Sequence, residues 1–228
     1  MAGKAKRKAP AAAEARADSA KRVTRSAAKA AVVATEDTRP ADEEHPSPGS
    51  IAAKTSQKIV AFLRGVNVGG RVHSMKSIAD ALGKTGLRNV DTFLASGNVV
   101  LDAPDQTSVL EVEHRVEDAL QQLFGSHIPV FARSMDEVAL LGERVQRTAT
   151  AVNVVLLKEK LTEDQRGVLE ALSTDADELE PLDKAFVWYS ATKMSESPLF
   201  KVAFDKKLGV PVTVRTVNTL RRIVKNFG

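Results

Sequence analysis

The residues with the clearest capacity for chemistry lie in Arg64-Gly65-Val66-Asn67-Val68-Gly69-Gly70-Arg71 and in Ser96-Gly97-Asn98. Gly65, Asn67, Gly69 and Gly70 tolerate the positive φ that other side chains resist, so the first stretch reads as a tight loop. It follows the apolar run Ile59 to Leu63 and precedes Ser74, which stands where a helix N-cap should. Backbone N–H groups at the start of that helix, flanked by Arg64 and Arg71, suit a phosphate or another small anion. The alternative is a turn whose glycines serve packing. The loop has no Lys-Ser/Thr pair of a P-loop, and its spacing does not fit the G-x-G-x-x-G dinucleotide fingerprint.

Other chemistries find less support. The chain has no cysteine, which excludes disulfides, thiolate catalysis and zinc-thiolate sites. His45, His73, His114 and His127 show no metal-ligand spacing, and no cofactor is expected. His73, beside Arg71 and Ser74, is the one histidine placed to act as an acid or base. The acid run Asp175, Asp177, Glu178 and Glu180 reads as a solvated loop. Ser96 is not in a nucleophile elbow, and with Asn98 it reads as part of a turn.

The elements that must position these groups follow a repeated order. Ile59 to Leu63 is a strand, and Met75, Ile78, Ala79 and Leu82 mark one face of a helix. Val90 to Ser96 and Asn98 to Leu101 form a hairpin or a bulged strand. Ser108 to Glu111 is a capping box, followed by Val112, Val116 and Leu120 at helical period. A strand at Pro129 to Ala132 completes βαββαβ, and a helix spans Met135 to Val145. Val152 to Leu157, a helix capped at Thr162, strands Glu178 to Leu182 and Ala185 to Tyr189, a helix Leu199 to Leu208 and a strand Val210 to Val214 repeat the pattern. A final helix runs from Val217. The expected fold is α+β, two tandem ferredoxin-like units at 58–148 and 149–228, with Trp188 and Tyr189 on opposite sheet faces.

Residues 1–57 differ in kind. Residues 1–35 carry nine Lys and Arg against two acids, a net +7, with Lys4, Lys6, Arg7, Lys8, Lys21, Arg22, Arg25 and Lys29 among them. Residues 36–57 are net −3, and residues 58–228 hold 22 bases and 22 acids. An Ala/Lys/Arg segment without aromatic residues cannot bury enough surface to offset its chain entropy, so a disordered tail and a Pro-containing linker are expected. Such an arm suits non-specific contact with DNA or RNA through phosphate neutralisation; simple solvation and a transit peptide are the other readings. No 18-residue apolar run is present and acids interrupt the basic start, so neither a membrane span nor secretion is expected, and the cytoplasm is the expected location.

LRGVNVGG, the helix beginning at Met75 and FLASGNVV resemble the family called domain of unknown function 1697, over about residues 58–228. That resemblance implies a mostly bacterial lineage and a duplicated ferredoxin-like fold, and it implies no established activity. The family carries Ser-Lys where this chain has Ser197-Pro198, and Arg-Asn-Trp-Asn-Thr where it has Arg215-Thr216-Val217-Asn218-Thr219. Arg215 and Asn218 are kept and join Arg64 to Arg71, Ser96 and Asn98 as candidate anion ligands. A protein-interaction scaffold remains the third reading, because ferredoxin-like units host unrelated activities.

Overall fold

The computed structural model describes residues 56–66 and 74–228. The basic segment, Asn67, Gly69, Gly70, Arg71 and His73 lie outside the described residues. In the first half, β1 (Gln57–Leu63), α1 (Met75–Gly83), β2 (Arg88–Phe93), β3 (Asn98–Ala103), α2 (Val109–Phe124) and β4 (Val130–Ser134) are followed by α3 (Met135–Arg144). The second half repeats this as β5 (Ala151–Leu157), α4 (Glu163–Leu172), β6 (Asp177–Pro181), β7 (Ala185–Ser190), α5 (Phe204–Leu208), β8 (Val212–Thr216) and α6 (Val217–Phe227). Each half is a four-stranded antiparallel sheet, ordered β2-β3-β1-β4 and β6-β7-β5-β8. Both orders are those of a ferredoxin-like βαββαβ unit.

The apolar runs of β1 and β5 follow from burial on both faces. Ile59, Ala61 and Leu63 pack with Ile78, Leu82, Val112, Val116 and Leu120 beneath α1 and α2. Val60 and Phe62 face the other way, into a core shared with Val154, Leu156, Val187 and Tyr189 and with α3 and α6. Val155, Leu157, Phe186 and Trp188 fill a third core with Leu169 and Phe204. Trp188 and Tyr189 thus point to opposite faces, and both are buried because neither face of that sheet is open to solvent.

Helix starts follow local chemistry. Ser108, Ser134 and Thr162 accept the N3 backbone N–H in capping boxes with Glu111, Glu137 and Gln165. Two readings change. The stretch is a hairpin, but its first strand, expected to run to Ser96, stops at Phe93 because Leu94 and Gly97 take positive φ of 62° and 81°. The single helix expected from Leu199 to Leu208 is a 3-10 turn at Pro198–Lys201 and the five-residue α5, broken where Ala203 leaves helical ψ. Phe200 is accordingly half exposed.

Candidate functional site

The described start of the glycine-rich loop is fixed by backbone bonds. Leu63 N–H donates to Gly97 O at 2.8 Å and Arg64 N–H to Pro129 O at 3.0 Å, after which Gly65 turns at φ 71°. On the far side Ser74 caps α1 by accepting Ser77 N–H at 3.0 Å. The loop therefore leaves β1 beside the Ser96-Gly97-Asn98 turn.

Arg215 reaches that turn from β8. Its Nε donates to Asn98 Oδ1 at 2.6 Å, and one terminal nitrogen donates to Thr213 Oγ1 and Val214 O at 2.9 and 2.8 Å. The other donates to the carbonyls of Leu63, Ser96 and Gly97 at 2.8 to 3.1 Å. All five N–H groups have protein acceptors, so the guanidinium acts as a strut between the halves. Burial pushes it down to about 10, which still leaves a cation at neutral pH, and no carboxylate is among its partners. Asn98 is fully buried and donates to Phe93 O and Ser96 Oγ, while Ser96 itself is exposed.

The remaining candidates are placed differently. Arg64 pairs with Asp205 of α5 at 2.8 Å, both partly exposed, on the wall of a cavity of about 330 Å³. That hydrogen bond, with one from the Lys206 N–H, holds the Asp205 carboxyl below its usual range. Asn218 stands apart, in the first turn of α6 on the wall of another cavity. Ser96, Asn98 and Arg215 are brought together; Asn218 is not with them.

Several buried polar groups escaped sequence reasoning. Glu113 and Glu117 of α2 accept the backbone N–H groups of Ala132 and Val130 at 2.8 and 2.9 Å, covering the otherwise unpaired edge of β4. Lys158, from the second half, pairs with both carboxylates. Burial pulls its pKa down, but its bonds to Glu117 and Glu113 outweigh that and raise it. Spacing gave a clue, since two acids four residues apart directly follow the core residues Val112 and Val116. Asp177, read as part of a solvated loop, opens β6 at 1% exposure. It accepts from Trp188 Nε1 at 2.7 Å and Ser197 Oγ at 2.9 Å. Ser197 is thus retained as a buried anchor although no lysine follows it.

His114 and His127 are exposed, and no group of three or more His, Cys, Asp or Glu able to hold a metal occurs among the described residues. No helix among them is long and apolar enough to cross a membrane.

The family model described as a protein of unknown function, DUF1697, matches residues 56–187, more than half of the chain. The chain belongs to the DUF1697 family. The match takes in both loop motifs and ends in β7, so Arg215 and Asn218 lie beyond it. Among solved structures, the conserved bacterial protein SP0830 from Streptococcus pneumoniae is similar, with a TM-score of 0.57 and 20% identity. The likeness covers 75% of this DUF1697 chain and 98% of that one, and it concerns the fold. No curated protein matches the chain.

Proposed function

We propose that this DUF1697 protein associates non-specifically with DNA or RNA through its basic N-terminal segment, while its body carries a separate activity. The supporting observation is the segregation of charge: residues 1–35 are net +7, whereas residues 58–228 balance 22 bases with 22 acids. Clustered Lys and Arg on one arm suit phosphate neutralisation with release of counterions. The test is fluorescence anisotropy of duplex DNA and single-stranded RNA against the full chain and a variant with Lys4, Lys6, Arg7, Lys8, Lys21, Arg22, Arg25 and Lys29 changed to Ser. The expected result is binding by the unaltered chain alone, with log affinity falling by about 0.9 per neutralised phosphate per decade of salt. Equal binding by the variant would refute the assignment.

A second reading, an anion or nucleotide site in the loop from Arg64 to Arg71, draws support from Arg215. A buried cation without a carboxylate partner adds positive potential where β1 enters the loop. Binding there should raise the melting temperature with nucleotides or sugar phosphates, and Arg64→Gln with Arg71→Gln should remove the rise. An unchanged melting temperature across such a screen rules this reading out.

A further inference from the structure

The two halves differ at one buried position on their central strands. Val60 of β1 and Val154 of β5 are equivalent, because each lies opposite an arginine of the outer strand, Arg133 or Arg215. One residue earlier, the first half has Ile59, fully buried in its core, and the second has Asn153 at 1% exposure. The fold is therefore satisfied by an apolar side chain at this place. Asn153 instead buries an amide whose Nδ2 has no hydrogen-bond partner. Such a group is desolvated with nothing in return, which favours a partner from outside the chain.

Asn153 lines a cavity of about 410 Å³. Thr216, the N-cap of the eleven-residue α6, lies directly opposite Asn153 in the β5–β8 register, so both side chains occupy one sheet face. The cavity wall continues through Val217 and Asn218, whose backbone N–H groups belong to the first helical turn and have no intrahelical acceptor. The lining includes Arg147 and Arg221 and no Asp or Glu, and the first turn of α6 has no acid. Arg147 pairs with Glu178 outside the lining, and Arg221 donates to the carbonyls of Gly142 and Val145. These arginines set the sign of the potential, leaving Asn153 and the helix start to make direct bonds. Met194 and Val152 give the cavity an apolar side.

We propose that this cavity binds the oxyanion end, phosphate or carboxylate, of a small molecule with an apolar body. Asn153 and the first turn of α6 donate to the oxyanion. The proposal uses no residue of the glycine-rich loop or of the basic segment, so it stands or falls independently of both.

The test titrates the full chain with inorganic phosphate, phenyl phosphate, benzoate and, as a neutral control, benzyl alcohol. Binding is followed by melting temperature and by the fluorescence of Trp188, the single tryptophan, which lies opposite Asn153 on β7. Phenyl phosphate or benzoate should bind and benzyl alcohol should not; whichever anion binds more tightly names the headgroup. Asn153→Ile, which installs the residue found at the equivalent place in the first half, should keep or raise the unliganded melting temperature and weaken binding at least about tenfold. Asn218→Asp should weaken it similarly by placing a negative charge at the helix start. Absence of any anion response, or unaltered affinity in Asn153→Ile, would overturn the proposal.

Discussion

Arg133 and Arg215 are exchanged between the two halves. Arg133, on β4, donates to the carbonyls of Leu157 and Lys184, at the end of β5 and in the β6–β7 turn. Arg215, on β8, donates to those of Leu63 and Gly97, at the end of β1 and in the β2–β3 turn. In each target the strand end also donates its own N–H to the turn, Leu157 to Lys184 O and Leu63 to Gly97 O. The two arginines thus make the same contact in opposite directions. One difference is that Arg215 also bonds Asn98, where the equivalent residue for Arg133 is Ala185.

Arg215→Met should destabilise the protein by about 3 kcal/mol, because the buried neutral acceptors on Asn98, Leu63 and Gly97 lose their donor together, at roughly 1–3 kcal/mol for each one left unsatisfied. Arg215→Lys should not restore the loss, because one ammonium cannot span acceptors on Asn98, Thr213 and Leu63 together. Urea unfolding followed by Trp188 fluorescence measures both. A Lys variant as stable as the unaltered chain would mean that charge alone, and not the fork, holds the halves.

Gly97→Ala and Gly86→Ala separate conformational strain from crowding. Both glycines have φ near +81°, but a Cβ at Gly97 would lie 3.1 Å from Leu63 Cβ and 3.3 Å from Leu63 O, whereas at Gly86 it meets nothing within 4 Å. The Gly86 variant should lose about 1 kcal/mol from backbone strain. The Gly97 variant should lose roughly 1–2 kcal/mol more, since the contact is tight and Leu63 is held on both sides by hydrogen bonds. Equal losses would show that the turn relaxes freely.

Lys158→Met should cost about 3 kcal/mol by leaving the carboxylates of Glu113 and Glu117 without their cation. Because folding raises the Lys158 pKa above its ordinary 10.5, its contribution is present below that pH and is lost only as pH rises beyond it. Melting curves of the variant and the unaltered chain should therefore differ by a constant amount from pH 7 to 9. A gap that closed over that range would place the stabilisation elsewhere.

Tyr189 is the single tyrosine, so its ionisation can be followed by ultraviolet absorbance. Burial, with the hydrogen bond to Glu180 and that carboxylate's charge, pushes it up to about 12. The raised value means that the stability it confers is complete below the unfolded pKa near 10 and fades as pH climbs through 12. Glu180→Gln should bring the midpoint down towards 10 by removing the neighbouring negative charge. A native midpoint already at 10 would contradict the buried placement.

The order of strands and helices, the capped helix starts and the βαββαβ duplication were legible in the sequence because each rests on local patterns: apolar runs, helical spacing, and Ser or Thr three residues before Glu or Gln. What only the tertiary structure decided is which polar groups are used up. Arg215 reads in the sequence as a free cation, yet its N–H groups are accepted by residues 117 to 152 positions away as well as by its neighbours. Asp177 reads as a solvated acid, and Asn153 as one polar residue in an apolar strand. Hydrogen-bond partners and burial are set by contacts distant in sequence, so one-dimensional spacing cannot distinguish a group that ties the fold together from one that is left for a ligand.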